Sequence, residues 1–223
     1  MKKIIGLLAF ALLLNATAQA QTLYQVELIA FARSGAGVEH EENWDRKYDL
    51  RYPERYVALQ TADGSDAPFQ QLGVDAMQLN KEADAIASRR NWRVLLHTAW
   101  RQNVDDPAHA TPVIISGGKL FGLHHELEGT FTLSIERFLR ADVDLWLSRF
   151  SNDPTALSAQ ILPNPPGTIA ATATDITPYV VTRTVVMQQR RRLRSGELHY
   201  FDHPLLGLLV LVTPVTPVTT NAQ

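Results

Sequence analysis

Apolar and polar residues alternate along several segments of the chain, and this alternation predicts β-strands. The first such segment is 23–33, in which the even-numbered residues from Tyr24 to Ala30 are all apolar, whereas Gln25 and Glu27 lie between them. One face of this strand is therefore predicted to pack against the core.

A helix and a second strand are predicted after the stretch 34–78, which is polar, contains several glycines and prolines, and predicts a long loop. Asn80 suits the N-terminal cap of a helix whose last turn carries Arg89 and Arg90, so the charges complement the helix dipole. The segment 91–102 then alternates apolar with polar residues, which predicts a strand.

The segment from Leu127 to Leu147 carries its apolar residues mainly at odd-numbered positions. A two-residue hairpin turn would move the apolar face to even-numbered positions, so the unchanged parity favours one long strand, bent at Arg137. A three-residue loop would also preserve the parity, and it stays open as the alternative.

The C-terminal part predicts a surface loop over 151–178, then a strand from Val180 and a two-residue hairpin turn at Ser195 and Gly196. A last strand is predicted after Gly207. The hairpin would place three pairs of residues opposite each other: Arg194 and Glu197, Leu193 and Leu198, Arg192 and His199.

Together these segments predict an α+β fold, with an antiparallel or mixed sheet of about five to six strands and one or more helices on a face. The β-α-β order followed by a meander resembles a ferredoxin-like plan. Residues 21–213 are predicted to form a single domain, with long loops at about 34–78 and 151–178, followed by a flexible Thr/Pro/Val tail at 214–223.

Residues 1–20 have the features of a secretory signal peptide. Lys2 and Lys3 precede an apolar run from Ile4 to Leu14, and small residues lie before Gln21, where cleavage is predicted. The apolar run is shorter than the roughly 20 residues that a membrane-spanning helix needs. We therefore expect an exported protein that does not span the membrane.

Charge and cysteine content narrow the classes of partner. The chain has 21 Lys and Arg, 23 Asp and Glu, and no Cys; loss of Lys2 and Lys3 with the leader leaves 19 basic residues against 23 acidic ones, a net charge of -4. This balance argues against nucleic acid as a partner. Without cysteine the chain has neither a lipidated cysteine nor a disulfide, and about 200 residues can bury a core without one.

The sequence offers few groups for catalysis. The window 124–128 (HHELE) contains imidazoles and carboxylates, but adjacent residues of a strand point to opposite sides and no HExxH motif is present. Asp142 and Asp144 share a strand face, an arrangement more typical of a solvated surface than of a glycosidase pair. We therefore assign no catalytic residue, no metal ligand and no cofactor.

The basic run RRRLR is the strongest candidate for binding. In the predicted hairpin Arg190, Arg192 and Arg194 (the arginine stripe) share one face, with His199 and Glu197 beside them. Because guanidinium groups bind carboxylates through two hydrogen bonds, we predict that the stripe and His199 bind an acidic ligand or protein. In the alternative interpretation, the arginines only stabilise the turn and keep a sheet edge soluble.

Aromatic residues provide a second candidate surface. Four of them are spaced by four residues: Trp44, Tyr48, Tyr52 and Tyr56. This spacing favours one face of an amphipathic helix, with stacking on sugar rings as the alternative. Trp92 and Trp100 are predicted to lie on one apolar strand face in the core.

Four segments of the chain are similar to one known family. They are YQVELIAF from Tyr24, LLHTAWRQ from Leu95, LEGTFTLSIERFL from Leu127, and RRRLRSGELHYFDHPLLGLLVLVTP from Arg190. In these segments the chain resembles the CsiV family of periplasmic peptidoglycan-binding proteins. One departure is RFLR at 137–140, where the resemblance leads us to expect an RYLH-like sequence.

The resemblance implies a non-catalytic periplasmic accessory protein that binds peptidoglycan and supports its assembly. The implied protein partner is an LpoA-type outer-membrane lipoprotein, which activates a penicillin-binding protein. The resemblance implies no binding residues, so the arginine stripe with His199 is our hypothesis for the contact with stem-peptide carboxylates. Two alternatives remain open: a peptidoglycan hydrolase that uses His125 or Asp142, and an adaptor that binds only envelope proteins.

Overall fold

The structure, a computed structural model, describes residues 22–34, 47–61, 67–153, 155–168 and 179–215. The predicted signal peptide and Trp44 lie outside these residues. The regular elements are β1 (Leu23–Arg33), β2 (Val57–Ala58), α1 (Asn80–Ala87), β3 (Trp92–Asn103), β4 (Val113–Phe121), β5 (His124–Ile135), β6 (Leu139–Ser151), β7 (Val180–Arg192), β8 (Leu198–His203) and β9 (Leu206–Pro214). A short 3₁₀ helix, Val74–Ala76, precedes α1.

The strands form two sheets. One has four strands in the order β3-β1-β9-β8, and the other has five in the order β2-β4-β5-β6-β7. Every paired strand is antiparallel to its neighbour except β2, which runs parallel to β4. An α+β fold agrees with the prediction, but the strands divide between two sheets instead of forming one, and the ferredoxin-like plan is not confirmed. Periodicity predicts where a strand lies along the chain, but it does not predict which strand it pairs with.

Strand β1 is confirmed and lies inside the four-stranded sheet, where it pairs with both β3 and β9. Val26 and Leu28 are fully buried in the core between the two sheets. Ile29 and Phe31 point to the other face and pack beneath α1. Because both faces are covered, the strand is apolar on both sides over its second half.

Strand β3 is also confirmed, but its two tryptophans do not share a face. A register shift between Ala30 and Phe31 of β1 leaves Leu95 as an extra residue in β3. This bulge reverses the side-chain alternation. Trp100 therefore lies in the core between the sheets, whereas Trp92 lies on the α1 side, so the prediction of one apolar face was wrong.

Helix α1 begins at Asn80, close to the prediction, but Asn80 is not its cap. The cap position is Leu79, and the Asn80 amide instead donates hydrogen bonds to the carbonyl groups of Val74 and Met77. The helix ends at Ala87, so the arginines expected in its last turn lie beyond it. Packing of the apolar side of the helix on the sheet outweighs the capping pattern.

A buried carboxylate from β1 holds the segment that leads into α1. Glu27 is 1% exposed and accepts hydrogen bonds from the backbone N–H groups of Gln78 (2.7 Å) and Leu79 (2.8 Å). The His97 imidazole lies 2.8 Å from the same carboxylate. These three partners satisfy a charge that would otherwise be costly to bury.

Strands β5 and β6 form a hairpin, so the prediction of a single bent strand was wrong. Ile135 pairs with Leu139, which leaves a three-residue loop, 136–138, at the predicted interruption. The loop preserves the parity of the apolar positions, as the alternative interpretation required. A parity argument alone cannot separate the two structures.

The turn at Ser195 and Gly196 is present, but it joins two sheets and not two paired strands. The Leu193 N–H donates to Leu139 of the five-stranded sheet, whereas the Gly196 N–H donates to Val212 of the four-stranded sheet, both at 2.8 Å. Of the three predicted pairs, Arg194 with Glu197 is confirmed, since the Glu197 N–H donates to the Arg194 carbonyl group at 3.3 Å. The other two, Leu193 with Leu198 and Arg192 with His199, were wrong, because β8 pairs with β9 and β7 with β6. Leu193 is buried, and this anchors the chain in the core at the point where it changes sheet.

The sheets approach each other at both long edges. At one edge β7 side chains bond to β8 carbonyl groups: Gln189 to Asp202 at 2.8 Å and Arg191 to Tyr200 at 3.0 Å. At the other edge Gly117 lies so near Leu95 that a Cβ atom at position 117 would be 2.6 Å from the Leu95 carbonyl oxygen. The two sheets thus form a sandwich around one main core.

The outer faces of both sheets are partly covered. Helix α1 covers the four-stranded sheet. On the five-stranded sheet, Leu50 and Leu162 from two loops pack with Trp146, and Tyr48 and Tyr52 join them. No helix occurs between 47 and 61, so the helical interpretation of the tyrosine spacing was wrong there. No helix in the described part of the chain is long and apolar enough to cross a bilayer.

Candidate functional site

The arginine stripe lies partly on β7, at the end nearer the turn. Arg190 and Arg192 share one face and pair with Asp142 and Arg140 of β6. The Arg190 guanidinium donates to the Asp142 carboxylate, and the Arg192 guanidinium lies 3.0 Å from the centre of the Phe138 ring. Both arginines therefore already contact residues of the chain itself.

The remaining stripe residues lie at the turn. Arg194 follows the end of β7, and its guanidinium is 3.5 Å from Glu197. His199 lies beside Arg194, as its Nε2 accepts the Arg194 N–H at 3.0 Å, but it does not pair with Arg192. The structure thus brings the four predicted residues to one end of β7, and binding by them stays a prediction.

The window 124–128 does not converge on one point. Glu126 turns toward Arg93, whereas Glu128 is 1% exposed and accepts hydrogen bonds from the Trp146 indole (3.3 Å) and the His125 N–H (3.0 Å). His124 Nδ1 lies 3.2 Å from Glu128. Glu128 is therefore part of a buried hydrogen-bonded cluster.

This buried cluster affects a neighbouring tyrosine. Tyr52 packs edge-on against Trp146, with the ring centres 5.1 Å apart. Burial, and then the charge of Glu128, raise the pKa of Tyr52 well above its usual value. The phenol consequently stays neutral at physiological pH, and this aromatic residue belongs to the packing of the outer face more than to a sugar-stacking surface.

The two aspartates of β6 line an open surface groove of about 390 Å³. Asp142 is paired with Arg190, and Asp144 accepts a hydrogen bond from the Gln188 amide at 3.1 Å. Burial raises the pKa of Asp144, and the bond from Gln188 partly offsets this effect. Within the described residues no three His, Cys, Asp or Glu side chains are grouped so that they could hold a metal ion.

A larger cavity, which we call the cationic cavity, lies at one end of the sandwich between the two sheets. Its volume is about 500 Å³, within the roughly 300–1,000 Å³ typical of small-ligand sites. It is lined by Ala32, Arg33, Ser34, Arg90, Asn91, Trp92, Arg93, Lys119, Phe121, Glu126, Leu147, Ser148, Arg149, Phe150, Arg183, Val185 and Leu205. Six of these residues are basic and one is acidic.

The basic residues come from separate elements. Arg33 ends β1, Arg93 begins β3, Lys119 and Arg149 lie near the ends of β4 and β6, and Arg183 lies near the start of β7. Since neighbouring strands are antiparallel, the end of one strand and the start of the next lie at the same end of the sandwich. The fold thus gathers single basic residues into one positively charged site.

The one acidic residue of the cavity, Glu126, is ion-paired and hydrogen-bonded to its neighbours. Both Glu126 carboxylate oxygens accept hydrogen bonds from Arg93 at 2.9 Å, and the Lys119 N–H donates to one of them at 2.8 Å. Burial alone would raise the pKa of Glu126, but these bonds and the charge of Arg93 lower it below its usual value. Glu126 therefore stays ionised and offsets only part of the positive charge.

Two of the cations lie opposite each other, and a third is partly buried. Arg149 pairs directly opposite Arg183 across the β6–β7 ladder, an arrangement that repulsion between like charges makes unfavourable. Arg33 donates to Asp202 and to the His203 carbonyl group, and its buried Nε has no hydrogen-bond partner among the described residues. A cleft lined mainly by positive charges attracts negatively charged ligands.

Aromatic rings border the cavity on two sides. Trp92 stacks on Phe31 with ring centres 4.9 Å apart, and the Arg89 guanidinium lies 4.3 Å from its centre. Phe121 stacks on Phe150 at 4.8 Å. These rings give the cavity rigid apolar walls beside its charges.

Sequence reasoning missed this cavity because its basic residues are isolated along the chain. The stripe is part of a nearly continuous basic run, whereas Arg33, Arg93 and Arg183 have no other basic residue within two positions along the chain. One signal was available, namely that several predicted strands carry a basic residue near the end that antiparallel packing would bring together.

Comparison with known proteins identifies one family. The family model described as "Peptidoglycan-binding protein, CsiV" matches residues 3–215 of the 223-residue chain. No curated protein and no solved structure is significantly similar to the chain. The match covers both sheets and all the residues of the cationic cavity. The chain therefore belongs to the CsiV family of peptidoglycan-binding proteins.

Proposed function

We propose that this protein is exported to the periplasm, binds peptidoglycan without cleaving it, and supports cell-wall assembly. In this proposal it contacts an LpoA-type outer-membrane lipoprotein and the penicillin-binding protein which that lipoprotein activates. Membership of a family described as peptidoglycan-binding supports the ligand. The signal-like residues 1–20 support export.

The observation that carries the proposal is the cationic cavity. Peptidoglycan combines neutral sugars with short peptides that bear free carboxylates. A site lined by Arg33, Arg90, Arg93, Lys119, Arg149 and Arg183 favours carboxylates, because guanidinium and ammonium groups form charge-assisted hydrogen bonds with them. The arginine stripe stays a prediction for a second contact with the same polymer, and its contacts with Asp142, Phe138 and Glu197 would compete with that role.

A binding role also fits the positions of the histidines and carboxylates that hydrolysis would need. His124 and Glu128 lie in a buried cluster, and Asp142 is paired with Arg190. A glycosidase needs two carboxylates on either side of the bond that it breaks. Asp142 and Asp144 instead lie side by side on one strand, in an open groove and not in the cavity.

Co-sedimentation with purified peptidoglycan sacculi tests the proposal. The mature protein should sediment with sacculi at low salt, and high salt should reduce the bound fraction because it screens charges. The supernatant should contain no soluble muropeptides. Failure to sediment at low salt would contradict direct binding and favour the adaptor alternative; release of muropeptides would favour the hydrolase.

A further inference from the structure

We propose that the cationic cavity binds the carboxylate groups of one peptidoglycan stem peptide, and that the glycan strand remains outside it. This inference rests on the proposed function and assigns that function to one part of the polymer. Three features of the cavity support it: its charge, its volume, and the ion pairs that its basic side chains already form.

Charge distinguishes the two parts of the polymer. The sugar rings carry hydroxyl and acetamido groups and no charge, whereas each peptide carries several carboxylates. A neutral ligand would not compensate the positive charge of Arg90 and Lys119 at the cavity. Arg33 and Arg93, by contrast, already have ion-pair partners. A ligand with two or more carboxylates would compensate the charge of Arg90 and Lys119.

Size points in the same direction. A cavity of about 500 Å³ has room for a few amino-acid residues but not for a long stretch of glycan strand. A peptide, by contrast, branches from the strand and can enter the cavity while the strand stays outside. The apolar side chains of Leu147, Val185 and Leu205 would contact its alanine methyl groups.

The state of the donors indicates which cations would meet the ligand. Arg93 is engaged with Glu126, and Arg33 with Asp202. Arg90 and Lys119 also line the cavity, and both are exposed. No direct ion pair of either side chain occurs among the described residues, although the charge of Lys119 helps to lower the pKa of Glu126. Arg90 and Lys119 are therefore the cations that can reach an incoming carboxylate with the least loss of existing bonds.

These two residues define a variant that leaves the fold intact. Arg90→Gln combined with Lys119→Gln removes two positive charges from the cavity and breaks no ion pair seen among the described residues. A matched control is Lys81→Gln combined with Arg137→Gln, which removes the same charge from exposed residues outside the cavity. The control separates a local effect from the effect of net charge.

Isothermal titration calorimetry with three ligands tests the inference. The ligands are a synthetic stem pentapeptide (L-Ala, D-Glu, diaminopimelate and two D-Ala) with free carboxylates, the same peptide with every carboxylate amidated, and an uncharged N-acetylglucosamine tetramer. The wild-type protein should bind the peptide with free carboxylates. It should bind the amidated peptide at least about tenfold more weakly, and it should not bind the tetramer. The cavity variant should bind the free peptide about tenfold more weakly than the control variant does.

The outcomes separate the inference from the proposed function. Suppose that the protein sediments with sacculi. If it then binds the tetramer as well as the peptide, or if amidation does not change its affinity for the peptide, the inference is wrong and the proposed function stands. Sedimentation with sacculi without any peptide binding has the same meaning. If the protein binds neither sacculi nor the peptide, the inference and the proposed function are both wrong. Equal affinities of the cavity and control variants would place the peptide elsewhere.

Discussion

Arg93 and Glu126 form a two-point ion pair across the rim of the cationic cavity, with both N–H···O distances at 2.9 Å. The pair links the first residues of β3 in the four-stranded sheet to β5 in the five-stranded sheet. It therefore joins the two sheets beside the cavity and supplies the one negative charge in the lining. Two predictions follow from this double role.

Glu126→Gln should strengthen binding to sacculi about threefold at low salt, because it removes a negative charge from the cavity and frees the Arg93 guanidinium. Co-sedimentation over a range of sacculus concentrations measures the change. Asp106→Asn is the matched control, since it removes an acidic charge from an exposed loop outside the cavity. Unchanged or weaker binding by Glu126→Gln relative to this control would contradict a carboxylate-binding role.

The ion pair between Arg93 and Glu126 should make the free energy of unfolding depend on pH. Arg93 and the Lys119 N–H lower the pKa of Glu126 in the folded state. The ionised carboxylate therefore stabilises the fold at pH values above about 4.3, the pKa of Glu in an unfolded chain. This contribution is lost as the pH falls through the lower pKa of the folded state. The melting temperature of wild type should exceed that of Glu126→Gln most at neutral pH. A difference that does not shrink in acid would refute this account.

Glu27→Ala should destabilise the protein by roughly 3 kcal/mol, because it leaves the Gln78 and Leu79 N–H groups and His97 without their buried acceptor. Chemical denaturation of the purified variant measures the loss. Glu136→Ala, at an exposed position in the β5–β6 loop, should change stability by less than about 0.5 kcal/mol. Similar losses in both variants would show that Glu27 has no special structural role.

Local pattern predicted the position of strands well and their partners poorly. The alternation in β1 and the turn at Gly196 were readable because each depends on neighbouring residues. The separation of β7 from β8 was not, since it depends on distant partners: β7 pairs with β6, whereas β8 pairs with β9. The bulge at Leu95, which sends Trp92 and Trp100 to opposite faces, likewise arises from pairing with β1.

Gly207→Ala should lower stability by about 2 kcal/mol, because a Cβ atom at this position would overlap the Phe31 ring. Phe31 cannot move aside easily, since it also stacks on Trp92. Differential scanning calorimetry measures the loss. Gly73→Ala is the control, as a Cβ atom there meets nothing within 4 Å; equal melting temperatures for the two variants would contradict this packing.

The candidate site was predictable only in part. The arginine stripe was visible because Arg190, Arg192 and Arg194 are close in sequence, yet the structure gives each of them a partner within the chain. Arg33 and Arg183 line the same cationic cavity, although they are 150 positions apart in the sequence. Such convergence follows from sheet topology, which the sequence pattern does not contain.

The two basic surfaces can be separated by substitution. Changing Arg190, Arg192 and Arg194 to Gln should lower the melting temperature by a few degrees, as it removes the contacts with Asp142, Phe138 and Glu197. It should leave most of the sacculus binding in place. A loss of sedimentation without a change in melting temperature would instead make the stripe the main contact.

The most direct test is sedimentation of the Arg90→Gln/Lys119→Gln variant with sacculi at low salt, beside the Lys81→Gln/Arg137→Gln control. Binding through the cationic cavity predicts that the bound fraction falls about tenfold in the first variant and stays near the wild-type level in the control, with equal melting temperatures. Equal sedimentation of the two variants would contradict it.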